Sequence, residues 1–542
     1  MEPASSLGQT AVEAPDGRAP LADGGSVEAQ HKLRREITSW GSFTWGYADV
    51  GADVYVALGL VMATAEGLAN GAFLFAGLVY VMVGLTYTEL SAAYPLAGGG
   101  QFFVLRGLGD FWGFVAGWAV LLDFTVDITL FAFSSAGYID HFFPRLNQAP
   151  WIEVETGAII LFLYAVNVIG VRESTRLNAI SATIDIASET TLIFIGFVIA
   201  FSSDRWWGQV STALMHFNAG NLALGSSLAI ISFVGLESIA QAAQETIRPA
   251  TIMPRTSVAL ILTILAYALA LSILTLGVLH WQTFAPNTGG AGCPHFAVHH
   301  FCQLHQNHEN APVPWLAENV PLIGSFVAPI VSVLGAMLLL ISSNTGVYGS
   351  SRIAYSMASY EQLPRIFARV NARRRTPVVA LTFFCGLALV LLILAGLQQD
   401  TLNTLGDIYA FGAATSYTLV FFAALKLRFT DPFTPRPFRM PWNFTVHRAG
   451  RPVQISIVNL LGILGIGSIL IMVVLTHPIG RIAGPVWILV GLALYAVYRR
   501  RRRLPFPGSV KRDWASAQLA VYRESGEDEL ADEYEYRLRH QQ

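Results

Sequence analysis

Twelve stretches of this chain are apolar over the length a helix needs to cross a bilayer, about 20 residues. They run Phe43–Ala65, Ala72–Ala93, Phe111–Tyr138, Thr156–Gly170, Asn178–Phe201, Leu222–Ala243, Thr256–His280, Leu322–Ser343, Val378–Leu397, Leu402–Leu427, Ile455–Thr476 and Ile482–Tyr498. Backbone polar groups in hydrocarbon must bond within their own segment, so runs of this kind are helices. Only 13% of the 542 residues are charged and 53% are hydrophobic, against about 25% charged in soluble domains. Too little polar surface is left for a string of soluble domains of about 150 residues each. Three cysteines exclude a disulfide framework and a Cys-rich zinc protein. The fold class is all-α multi-pass membrane protein with about twelve transmembrane helices.

Charge distribution sets the orientation. Twelve passes put both termini on one side, and of the 34 Lys and Arg only Arg145, Arg205 and Arg481 fall on the other. Both termini are therefore expected to be cytoplasmic, in a cell membrane. No apolar signal segment precedes the first span. Residues 1–35 have the composition of a disordered tail, and residues 281–321 form a His-rich external loop. There Cys293 and Cys302 could close a small disulfide, and His295, His299, His300, His305 and His308 are spaced too irregularly for a dedicated metal site. Arg499–Arg503 suit a headgroup-facing anchor. The polar tail 504–542 could fold onto a partner or onto the transporter body, although its composition is that of a solvated end.

Acids at membrane depth are costly and point to function. The first span holds Asp49 and Asp53 around Val50, Gly51 and Ala52, which reads as a helix break. The sixth has Ser232, Phe233, Val234 and Gly235 before Glu237. Two Gly-interrupted segments in matching positions point to a five-plus-five inverted repeat with a midplane site. The third span adds Asp123 and Asp127, and the fifth Asp185 and Glu189, each pair on one helical face. Apart from Lys426, one residue from the end of the tenth, the twelve stretches contain no Lys or Arg. Desolvation and a like-charged neighbour both favour the neutral carboxyl, so at least one of each pair is expected to hold a proton. Ser342, Ser343 and Thr345 close the eighth span; they suit Na+ ligation or ordinary helix packing, packing being favoured. Cys385 reads as core. No GxxxxGK[ST], HExxH or GxSxG is present, and Gly98-Gly99-Gly100 lacks the strand–helix setting of a nucleotide loop and reads as a turn. The chain is not expected to be an enzyme.

Three blocks in order resemble the amino acid/polyamine/organocation superfamily of permeases, over roughly Ser39 to Arg500. The most specific is Phe233-Val234-Gly235-Leu236-Glu237 with Gln244-Glu245, Arg248-Pro249 and Pro254-Arg255. The others are Tyr94-Pro95 with Gly98-Gly99-Gly100, Gly113 and Gly117-Trp118, and Ser351-Arg352 with Tyr355, Leu363-Pro364 and Thr376-Pro377. The resemblance implies spans one to five (36–203) and six to ten (204–430) as inverted halves, spans eleven and twelve (431–503) as additions, and alternating access. It also implies substrate held by broken first and sixth helices, at Asp49–Asp53 with Tyr55 and at Ser232–Gly235. Asp123, Asp127, Glu237, Asp185 and Glu189 are then candidates for proton or ion coupling.

The aspartates flanking the first-span break depart from the uncharged pattern of amino acid permeases. They keep open a resemblance to potassium-uptake permeases through Asp49, Tyr55 and Asp123. A non-transporting sensor acting through the tail is the reading from a different class. The expected partners are a small molecule, an amino acid or related amine, and the lipid bilayer, with no nucleic acid. No cofactor is expected beyond a coupling ion, H+ or Na+.

Overall fold

A computed structural model describes residues 38–95, 98–143, 146, 149–169, 174–241, 246–284, 311–321, 324–371, 376–398, 401–448 and 451–540. The expected tail 1–35 and nearly all of the His-rich loop, with its histidines and two of the cysteines, lie outside these residues. So do the side chain of Glu237 and the pair Gln244 and Glu245.

Among the described residues, eleven helical runs are long and apolar enough to cross a membrane, and the first, of 55 residues, bends at a 3-10 turn. It therefore supplies two passes, α1 (Ser39–Ala65) and α2 (Ala69–Ala93). The chain continues through α3 (Gly99–Leu108), α4 (Asp110–Ile139), α5 (Trp151–Ile169), α6 (Ser174–Ile195), α7 (Ser203–Met215), α8 (Ala219–Ala229), α9 (Leu236–Gln241) and α10 (Pro249–Val278). Next come α11 (Pro312–Glu318), α12 (Gly324–Ser359), α13 (Val378–Gly396) and α14 (Thr401–Thr430). A hairpin of β1 (Asn443–Arg448) and β2 (Arg451–Ser456) leads to α15 (Ile457–Thr476), α16 (Gly480–Arg501), α17 (Trp514–Glu524) and α18 (Asp528–Arg539).

α4 is the axis of the molecule: its most apolar window is wholly buried, and it packs on α12 and α14. Around it stand two groups. α1, α2, α8 and α10 pack on one another, and α4, α5, α12 and α13 do the same. The outer helices turn apolar side chains such as Phe194, Ile393, Leu464 and Leu489 outward, where only lipid is a suitable solvent. α7 is amphipathic and exposes Trp207, Leu214 and Met215, as an interfacial helix does.

Three expectations need correction. α1 is continuous through Asp49, Val50, Gly51, Ala52 and Asp53, so the first helix is not broken. A glycine inside a helix costs only about 1 kcal/mol, less than unpaired backbone at membrane depth, and the Tyr47 ring lies 3.1 Å from where a Gly51 Cβ would stand. α12 does not end near Ser343 but runs to Ser359. The Ser343 hydroxyl donates to the Ile128 carbonyl of α4 at 2.8 Å, so it serves helix packing. Gly98-Gly99-Gly100 is more than a turn: Gly98, at φ 119°, caps α3, which begins at Gly99.

The sixth span is broken as expected. Asn218 caps α8 by accepting from Gly220 N at 2.9 Å. Ile230–Phe233 tighten to a 3-10 turn, Val234 is extended and Gly235 has φ 103° before α9 restarts. The tail is not a solvated end either, since α17 and α18 fold onto the body through buried Gln518, Tyr522 and Tyr534.

Candidate functional site

The two faces of α1 carry two different chemistries. Residues 47 and 49 are about 200° apart around a helix, and Tyr55 returns to the face of Tyr47. That face meets α6. The Tyr47 hydroxyl lies 2.9 Å from Asp185 Oδ2 and 2.7 Å from Glu189 Oε2, and the Tyr55 hydroxyl donates to Asp185 Oδ1 at 2.9 Å. All four side chains are at most 2% exposed. Tyr138 of α4 steadies the group by donating to the Tyr55 carbonyl at 2.9 Å.

A phenol has one proton. Asp185 accepts from both tyrosines, one on each oxygen, which is the role of an ionised carboxylate. Tyr47 then has no second proton for Glu189, and a 2.7 Å contact between two oxygens is a hydrogen bond only if one supplies a proton. One carboxyl of the pair must supply it, either Glu189 donating to the Tyr47 oxygen or Asp185 donating while Tyr47 turns its proton to Glu189. Glu189 Oε1 has no hydrogen-bond partner among the described residues, as suits a neutral carboxyl rather than a buried anion.

The opposite face of α1 carries Asp49 and Asp53, both buried. Asp49 abuts the sixth-span break: a Cβ on Gly235 would stand 2.8 Å from Asp49 Oδ2. From α4, Asp127 reaches α12, where a Cβ on Gly346 would stand 2.5 Å from its Oδ2. α14 packs on the backbone of Asp123 at Gly412. Tyr409 of α14, 2% exposed, lies within electrostatic reach of Asp49, Asp53, Asp123 and Asp127 together. The four aspartates thus act electrostatically on one phenol, and Asp49 is the one placed against the break.

The remaining expected site residues divide. Gly235 lies against Asp49, and the Val50 side chain is 3.2 Å from where a Gly235 Cβ would stand. Phe233 turns away and stacks on Tyr80 of α2, centroids 5.0 Å apart. Ser232 is fully buried. Tyr55 belongs to the α6 carboxyls, so the grouping of Asp49, Tyr55 and Asp123 into one ion site does not form.

Several groups were not anticipated. Tyr47 could have been found from its eight-residue spacing to Tyr55. Glu89, an acid inside the second span, holds Arg428 at 2.5 Å, Arg436 at 2.8 Å and the Met440 N–H at 2.8 Å. Arg428 sits just past the apolar stretch but inside α14. Asp407, His477 and Ser227 form a buried chain, His477 Nδ1 to Asp407 at 2.6 Å and Nε2 to the Ser227 hydroxyl at 2.6 Å. The order resembles a hydrolase triad, but His477 Nδ1 makes no hydrogen bond among the described residues. Ser227 and His477 are fully buried, so the set acts as a clasp joining α8, α14 and the α15–α16 turn. A cavity of about 590 Å³ lies apart from the aspartates, lined by Glu66, Asp204, Arg205, His216 and His280 among others. Burial, and then Arg205, push His280 below the usual imidazole range.

Residues 41–497 match a family model described as amino acid permease. The chain is 23% identical to a branched-chain amino acid permease of Bacillus subtilis, over 88% of this chain and 95% of that one. It is 26% identical to cationic amino acid transporter 4 of Mus musculus, over 71% of this chain and 58% of the relative. It is 24% identical to a methylthioribose transporter of Bacillus subtilis, over 84% and 91%.

Proposed function

We propose that this chain, which belongs to the amino acid permease family and transports amino acids across a membrane, is a proton-coupled carrier of amine-rich or cationic amino acids. The observation that carries the coupling is the single Tyr47 phenol held between Asp185 and Glu189. That arrangement stores one proton and can release it when α1 and α6 separate. Substrate is held between Gly235 and the aspartates of α1 and α4, whose carboxylates suit an ammonium group.

Access alternates as the group of α1, α2, α8 and α10 rocks against α4, α5, α12 and α13. Span one packs on six, two on seven, three on eight and four on nine, a pairing that suits two inverted halves. The charge bias makes the face carrying the C-terminal tail cytoplasmic, in a cell membrane.

The test is uptake into proteoliposomes under an inward proton gradient, with labelled lysine, arginine, leucine and methionine, in sodium and in choline buffers. Sodium-independent accumulation of the cationic substrates that collapses with the gradient is expected. Glu189→Gln should retain exchange of internal for external substrate and lose gradient-driven accumulation. Accumulation by Glu189→Gln equal to that of the unmodified chain would remove the coupling role. A strict sodium requirement would assign the driving ion to Na+.

A further inference from the structure

The C-terminal tail makes its contacts on helix ends that belong to both packing groups. On the α4–α12 side, the Val510 N–H donates to Asp110 Oδ2 at 2.6 Å and Arg512 pairs with Asp110 Oδ1 at 2.8 Å. Arg512 also donates to the Tyr360 carbonyl, one residue past the end of α12, at 2.9 Å. Trp514 packs edge-on to Phe102 of α3, centroids 5.6 Å apart.

The α2–α10 side is held by the next turns. Gln518 Nε2 and the Tyr522 hydroxyl both donate to the Ala93 carbonyl, the last residue of α2, at 2.8 and 2.7 Å. Glu527 Oε1 accepts from the Ala250 N–H, in the first turn of α10, at 2.8 Å. Gln518 and Tyr522 are fully buried and Glu527 is 7% exposed.

The backbone groups used are informative. The last carbonyls and first N–H groups of a helix have no partner inside it. In Ala93 and Ala250 they are satisfied by the tail. Separating the two groups at this face would expose them, and would break the Asp110 and Tyr360 contacts or the Ala93 and Ala250 contacts.

We propose that Val510–Glu527 form a latch across the tail-side ends of the two helix groups, so that the binding site opens toward this face only when the latch lets go of one group. This rests on alternating access between the groups as proposed above. The latch makes the closed arrangement the resting one and gives the chain's own tail control over turnover.

The experiment uses the full chain with its three cysteines replaced by serine and spin labels at Thr251 of α10 and Ser359 of α12, both exposed. Pulsed electron–electron distance measurement reads the closed and open populations in proteoliposomes. Gln518→Ala with Tyr522→Phe removes both donors to Ala93 and should move the open-to-closed ratio by about tenfold toward open. Exchange flux should rise with it. Glu527→Gln weakens the α10 contact alone and should give a smaller shift in the same direction, which keeps the test available if the double variant folds poorly. Distances and flux unchanged in variants that melt with the unmodified chain would overturn the latch, and so would a shift toward closed. If substrate and gradient move the distances of the unmodified chain and latch variants respond identically, the latch alone fails. Distances in the unmodified chain that never respond would remove alternating access and the latch with it.

Discussion

Asparagine at 185 and glutamine at 189 are isosteric replacements of neighbouring carboxyls, and they should behave oppositely. Asp185 receives a phenol on each oxygen. An amide keeps one acceptor for one phenol and turns an NH2 group toward the other, whose oxygen accepts it only by turning its own proton to Glu189, so two charge-assisted bonds become neutral ones. Exchanging bonds worth about 1.5–3 kcal/mol each for neutral ones worth about 0.5–1.5, partly offset by removing a buried charge, should cost about 1–3 kcal/mol net. Glu189 differs because, as the member of the pair that holds the proton, it donates to Tyr47. The glutamine NH2 can donate in its place, and Glu189 Oε1 gives up no partner among the described residues, so the cost should stay within about 1 kcal/mol. The assay is thermal unfolding of each variant in the same detergent, paired with exchange and gradient-driven uptake. Asp185→Asn should lower the unfolding temperature clearly. Glu189→Gln should melt with the unmodified chain, exchange substrate and fail to concentrate it. The reverse order of stabilities would place the proton on Asp185 and refute the assignment.

Gly235→Ala should impair transport strongly and cost about 1–3 kcal/mol for backbone strain, because φ is 103° and the added methyl meets the Asp49 carboxylate at 2.8 Å; normal uptake would dissociate Asp49 from the break. Asp140, at the far end of α4, has its carboxyl pushed up to about 7 by burial and then by Glu155. The native state therefore binds a proton that the unfolded chain has released, so stability should fall as pH rises from about 4 to about 7. Melting across that range should show the fall, and Asp140→Asn should flatten it. Ser227→Ala should remove about 1 kcal/mol while leaving transport intact, and Ser227 should resist serine-directed fluorophosphonate; labelling there would overturn its reading as a clasp.

Span number and charge asymmetry were legible because each is a property of one segment and of lipid. The sixth-span break was legible because Gly235 needs a conformation other residues avoid. The first-span break was misjudged on similar letters, since Gly51 between two aspartates looks the same whether the helix opens or merely tolerates a small residue. Asp185 and Glu189 were visible as a pair on one face. Tyr47 was not, because a phenol is an ordinary residue in a span until something titratable stands opposite it. The Glu89 cluster was missed by the register of one helix end: Arg428 lies one residue beyond the apolar run yet inside α14. The Ser227–His477–Asp407 clasp joins segments 250 residues apart, a distance that no local pattern carries.

The enclosure of α4 bears on how the chain is made. Its neighbours α12 and α14 are synthesised some two hundred or more residues later, yet they cover the faces that carry Asp123 and Asp127. A nascent first half would hold these acids against lipid, where each is costly, so the ribosome must deliver residues through Thr430 before α4 reaches its lasting surroundings. The amino-terminal half made alone should be a substrate for membrane quality control, and supplying the second half in trans should rescue it.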